Sequence, residues 1–108
     1  MYTFFSQDYH PYKHMSFAST HNEKPFIFKN LTLVMDDTQI DVEQKLYPNH
    51  CVQGTVGCQI HKDIIFLKND KLFKKGTLIN VESYSAFGDE FMGQYEDTKL
   101  KQWLIKKK

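Results

Sequence analysis

The sequence predicts a mainly β fold: a small barrel, or a strongly bent antiparallel sheet, closed by a short C-terminal helix. Three observations predict it. Residues 64–87, IIFLKNDKLFKKGTLINVESYSAF, read as two short strands around a polar turn, then a Lys-Lys-Gly corner feeding a third strand. Within that third strand Thr77, Ile79 and Val81 alternate with Leu78, Asn80, Glu82 and Tyr84, the two-residue period of a pleated sheet. Upstream, PFIFKN and LTLVM are rich in β-forming residues.

Taken in order, residues 1–24 mix Tyr2, Phe4, Phe5, Tyr9, Tyr12 and Phe17 with polar and turn residues and hold no period for long. YTFF can open a strand; the rest reads as an irregular aromatic arm, a long loop of the sort that contacts partners. Residues 25–95 form the predicted barrel core. Asp36-Asp37-Thr38 turns the chain. TQIDVEQKL reads as a strand by Ile40 and Val42, although Thr38 and Asp41 also have the spacing of a capping box. Pro48-Asn49 ends that element. Gly54 and Gly57 mark a bulge or sharp bend. IIFLKNDKLF folds over Asn69-Asp70 as a hairpin, and Gly88-Asp89 turns into a last strand. Over residues 97–106 the period changes. Leu100, Trp103 and Leu104 make one helical stripe, with acids before it and lysines after it. Trp103 is expected to close one mouth of the barrel.

At 108 residues, 41% hydrophobic and 25% charged, the chain reads as one ordinary globular domain, 1–108. It holds no apolar run long enough for a membrane span, and its first residues lack the pattern of a secretory leader. Cys51 and Cys58 are too few for a disulfide framework and read as reduced thiols of a cytoplasmic protein. Every one of the 14 basic residues is lysine. The missing arginine weakens base-specific DNA reading and fits an AT-rich coding genome, such as that of a phage. The net charge is +1, so no strongly charged partner is indicated.

For metal chemistry the candidates are Cys51, Cys58 and His61, beside His50 and the HxxxH pair His10 and His14. The paired CxxC spacing of a zinc module is missing, and the expectation is no metal and no cofactor. For catalysis, Asp36/Asp37 and Asp89/Glu90 are adjacent acids that read as turn formers, and His50-Cys51 are neighbours that face apart in a strand. GxSxG, P-loop, GxGxxG and HExxH are all absent, so no enzyme is expected.

NDKLFKKGTLINVES is similar to the turn-and-strand of SH3-like domains, with DEFMGQY where that family has an aromatic pair before a glycine. Phe91 and Met92 replace that pair, and the ALYDY-like opening and PxxY closing elements are missing, so no groove residue is carried over. KKGTLINVE also resembles the later strand of OB-fold single-strand-binding proteins. The functional expectation is a non-catalytic protein-binding module. It would be a phage or mobile-element accessory, an assembly component or inhibitor of a host protein, in host cytoplasm or virion. Its partner would be another protein, anchored by Tyr9, Tyr12 and Phe17. The alternative is a single-stranded nucleic-acid-binding barrel using Lys71, Lys74, Lys75 and Tyr84.

Overall fold

The computed structural model describes residues 4–106, with side chains from Gln7 onward. Residues 1–3 and the last two lysines of the terminal run, Lys107 and Lys108, lie outside the described residues. Among the described residues there are four strands, β1 (Phe4–Asp8), β2 (Phe28–Met35), β3 (Thr38–Lys45) and β4 (Lys71–Lys75), followed by helix α1 (Leu100–Lys106). They form two separate two-stranded sheets, β2–β3 antiparallel and β1–β4 parallel. No barrel closes among the described residues, which corrects the SH3-like or OB-like expectation.

The β2–β3 hairpin forms from the β-forming LTLVM run and the TQIDVEQKL strand on either side of the Asp36-Asp37-Thr38 turn. Asp36 and Asp37 both take positive φ (47° and 65°), the backbone of a two-residue hairpin turn whose twist matches its strands. Pairing runs from Met35↔Thr38 to Phe28↔Lys45. Leu31 and Leu33 point inward onto Met15, with Met35 and Val42 packed around them.

The second sheet overturns the barrel. β1 and β4 pair in parallel, from Phe4↔Lys71 to Asp8↔Lys75, and parallel neighbours need a crossover, never a tight turn. β4 is therefore not one arm of a 64–75 hairpin. Residues 64–67 carry no strand; Asp70 instead folds back on Leu67, its N–H donating to the Leu67 carbonyl at 3.0 Å. Ile65 and Leu67 are 77% and 58% exposed. The alternating residues 77–84 form no strand either. Ile79 lends its carbonyl to the Met15 N–H (2.8 Å), and Val81, Glu82 and Ser83 are buried consecutively, which a half-buried strand does not allow. Residues 88–96 are gathered by one carboxylate: Asp89 accepts the N–H groups of Phe91, Gly93, Tyr95 and Glu96 at 2.7–3.0 Å.

The aromatic arm is also core. His10, His14, Met15, Ser16, Phe17 and Ala18 are all buried, because residues 16–18 exchange hydrogen bonds with Tyr47. Phe17, Leu46, Val81 and Leu100 are the most completely enclosed apolar side chains. Trp103 closes no barrel mouth; its ring meets Phe73 of β4 edge-on at 5.7 Å. Among the described residues no helix is long and apolar enough to cross a membrane.

Candidate active site

β1 and β4 end side by side at Asp8 and Lys75, and the polar cluster lies just beyond those carboxyl ends, where open parallel sheets place their ligands. The chain runs on from β1 through Tyr9, whose N–H donates to the Lys75 carbonyl (2.8 Å), to His10. His10 then pairs with the 51–53 segment, donating to the Cys51 carbonyl (2.9 Å) and accepting from Gln53 N–H (2.8 Å). In extended backbone, residues two apart share a face, so Asp8 and His10 enter the cluster together. Asp8, His10, Tyr47, His50, Lys75, Glu82, Ser83 and Tyr84 line a cavity of about 300 Å³. A neighbouring cavity of about 540 Å³ shares Asp8, Lys75 and Tyr84 and adds the apolar walls Ile60, Ile64 and Ala86.

Lys75 is the cation of the site. Its Nζ lies 2.9 Å from Asp8 Oδ1 and donates to the Ser83 carbonyl at 3.1 Å. An ammonium has three donors, and the bond to the Ser83 carbonyl uses one of them, which leaves donor capacity for a ligand. The side chain is only 15% exposed, which strengthens any charge interaction it makes.

The three histidines have different states. His14 is fully committed: its Nε2–H donates to the Val81 carbonyl, and its Nδ1 accepts from the Ser16 N–H (3.1 Å) and hydroxyl (2.8 Å). Burial pushes its pKa down, so the neutral ring is favoured. His50 donates Nδ1–H to the Pro48 carbonyl (2.8 Å), which fixes the tautomer and leaves the Nε2 lone pair outward. His10 has its pKa lowered by burial first and by neighbouring His14 second, against the opposing pull of Glu82. Its Nε2 faces Glu82 Oε1 at 3.7 Å, and its buried Nδ1 has no hydrogen-bond partner. Donor atoms of His10, His14 and Glu82 lie within 4.8 Å of one another, yet His14 has no lone pair to spare. Asp8, His10 and His50 also line the smaller cavity. Apart from the ion pair of Asp8 with Lys75, Asp8 Oδ1 and His10 Nδ1 are buried there without a hydrogen-bond partner among the described residues.

A half-buried ammonium paired to a carboxylate, beside neutral imidazoles and an apolar-walled cavity, is suited to polar bond-breaking chemistry. No protein-family model matches the chain. Known proteins do match, and they are enzymes. The chain is 38% identical over 100 residues to the nicotinamidase of Escherichia coli, covering 92% of this chain and 42% of that protein. It is 33% identical over 108 residues to the nicotinamidase of Saccharomyces cerevisiae, covering 94% and 48%. The structure of the yeast nicotinamidase bound to the inhibitor nicotinaldehyde superposes with a TM-score of 0.81 at 31% identity, over 95% of this chain and 49% of that one. The chain thus spans about half the length of the relatives it matches. These similarities overturn the reading as a non-catalytic phage or host-inhibitor module and the reading as a nucleic-acid-binding barrel. Over 95% of its length the chain is similar in fold to the yeast α/β enzyme.

The predicted site residues scatter. Phe17 is wholly buried, so it is a core ring and no docking anchor. Tyr12 is 70% exposed, and Tyr9 lies beneath the Lys74 ammonium, 4.8 Å from its ring centroid. Lys71 and Lys74 are exposed, and Lys74 and Lys75, adjacent in the strand, point to opposite faces, with Lys75 turned into the site. No single lysine groove results. Tyr84 lines both cavities, its hydroxyl accepting from Gln44 at 3.0 Å. The Cys51, Cys58 and His61 trio is not assembled. His61 is exposed and its Nδ1 accepts the Asp63 N–H, whereas Cys58 is buried with its thiol on the Asp8 carbonyl (3.2 Å). Burial raises both thiol pKa values, which disfavours the thiolate a metal needs. Asp8 and Glu82 were not singled out as site residues. The readable signal for Asp8 was its i, i+2 spacing to His10 at the end of an aromatic strand.

Proposed function

We propose that this chain supplies the Asp8–His10–His50–Lys75 part of a nicotinamidase-type active site, which hydrolyses an aromatic carboxamide to the carboxylate and ammonia. The observation that carries this reading is the match to the yeast enzyme over 95% of the chain at a TM-score of 0.81. The cluster at the ends of β1 and β4 agrees with it chemically. In amide hydrolysis the C–N bond breaks, water supplies the new oxygen, and negative charge builds on the carbonyl oxygen in the transition state. In this reading Lys75 meets that charge, with Asp8 and the Ser83 carbonyl holding the ammonium in position. Ile60, Ile64 and Ala86 give an aromatic ring an apolar wall in the cavity next to it. A divalent cation held by Asp8, His10 and His50 would add Lewis-acid attraction for a substrate lone pair.

The test is ammonia release from nicotinamide by the polypeptide in which this chain occurs, made from its complete reading frame. Release is expected, with His50→Ala and Lys75→Ala strongly impaired. A folded wild-type protein that releases no ammonia from nicotinamide or another aromatic carboxamide would overturn the proposal.

A further inference from the structure

We propose that Glu96, distant in sequence from the cluster, is the positioning residue that sets the Lys75 ammonium; this rests on the reading of Lys75 just given. The corner that follows Lys75 is constrained from both sides. Gly76 has φ +65°, and a Cβ there would stand 2.8 Å from His10 Cε1, so the backbone lies directly on the imidazole. From the other side the Glu96 carboxylate accepts the Gly76 N–H on Oε2 (2.9 Å) and the Thr77 N–H on Oε1 (3.0 Å). The Thr77 hydroxyl also donates to Oε1.

Glu96 is itself fixed. Its N–H donates to Asp89 Oδ2 (2.7 Å) and its carbonyl accepts the Asp89 N–H (3.0 Å). A carboxylate has no donor, so it can take three protein donors at once, and charge-assisted bonds of this kind are the stronger ones. Ring and carboxylate together leave the 75–77 backbone one position, and with it the root of the Lys75 side chain. Near a reacting bond, small misplacements cost rate more than binding.

The experiment compares wild type, Glu96→Gln, Thr77→Ser and Thr77→Val in the complete polypeptide. It reads kcat and KM for nicotinamide, Tm, hydrogen exchange at the Gly76 and Thr77 amides, and the acylation rate of Lys75 by an activated ester. Glutamine keeps the shape but turns an N–H₂ toward backbone donors. It should lower kcat about 10- to 100-fold with KM within about threefold. Exchange at both amides should quicken and Lys75 acylation should change. Thr77→Val should lower kcat by a smaller factor, and Thr77→Ser should restore it. A folded Glu96→Gln protein with wild-type kcat overturns the proposal, as does a loss of kcat that merely follows Tm. Should Glu96→Gln not fold, unchanged kcat in Thr77→Val overturns it. Should the wild type hydrolyse no carboxamide, the proposed function fails separately. The clamp then stands or falls on whether Glu96→Gln, or Thr77→Val if that variant does not fold, alters amide exchange and Lys75 acylation.

Discussion

The β2–β3 hairpin and the corner around Lys75 are built on opposite plans. The hairpin is one continuous stretch, Phe28 to Lys45, whose every pair is fixed by its neighbours and by two aspartates at the turn. It buries Leu31 and Leu33 and keeps polar groups such as Thr32 and Asp41 on the solvent face. The corner buries polar side chains instead: His10, His14, Glu82, Ser83 and Asp89. Their partners come from far along the chain, as with His14 and the Val81 carbonyl, 67 positions apart. A surface of apolar contacts degrades gradually when one contact is lost, whereas a buried polar network fails sharply when one member is left unpartnered. Stability and activity should therefore separate between the two regions.

The largest expected effect lies in the corner. Lys75→Ala removes the half-buried cation and leaves Asp8 without its ion-pair partner. Amide hydrolysis should fall by about 10²- to 10³-fold, the scale of losing one preorganised donor to a developing oxyanion, as read by ammonia release. The hairpin counterpart is Leu33→Ala, which deletes a buried side chain from a cluster shared with Met15 and Leu31. It should destabilise the protein by about 2–3 kcal/mol, at the low end for such truncations because the site is near the surface. Denaturant unfolding measures this, and kcat per folded molecule should stay as in wild type. A folded Leu33→Ala protein that had lost its activity would show that the two regions are coupled, and would end the comparison.

The same contrast explains what could be read from the amino acids alone. The hairpin was legible because the β-forming run LTLVM, the alternation of Ile40 and Val42 and the turn at Asp36-Asp37 are local properties. The short α1 helix was legible for the same reason, through Leu100, Trp103 and Leu104. The alternation at 77–84 has equal local quality and misled, because those residues are held by side chains of distant segments rather than by a neighbouring strand. Lys71–Phe73 was read as a strand and Lys74-Lys75 as a corner, whereas β4 runs on to Lys75, and its parallel partner at Phe4–Asp8 leaves no mark in the residues between them. The site was legible only as scattered parts: His10, His14, His50 and Lys75 were each noticed, under three different headings. What joins them is tertiary. Phe17 shows the limit most plainly, since an aromatic between polar residues reads as an exposed anchor until Tyr47 and the histidines are packed around it.

Between the two extremes lies Gly76→Ala. A non-glycine residue at φ +65° costs about 1–2 kcal/mol, and the new Cβ must also displace the His10 ring. The expected result is a lower unfolding midpoint together with reduced kcat. Leu33→Ala should lower only the first of these, so this variant sharpens the distinction between packing and positioning.

The smallest effect is expected on the outer face of the hairpin. Thr32 donates its hydroxyl to Asp41 Oδ1 at 2.8 Å, directly across the ladder and in full contact with solvent. Water replaces such a bond when it is lost, so Thr32→Ala should change stability by about 0.5 kcal/mol or less and leave kcat untouched. The informative comparison is with Ser83→Ala, which removes an equally ordinary hydroxyl, but one that is buried and donates to the Gly88 carbonyl at 2.6 Å. The buried change strands an acceptor that water cannot reach and should cost about 1–3 kcal/mol. Equal effects from the two hydroxyls would mean that solvent penetrates the corner freely, and the half-buried ammonium of Lys75 would then have no low-dielectric setting in which to act.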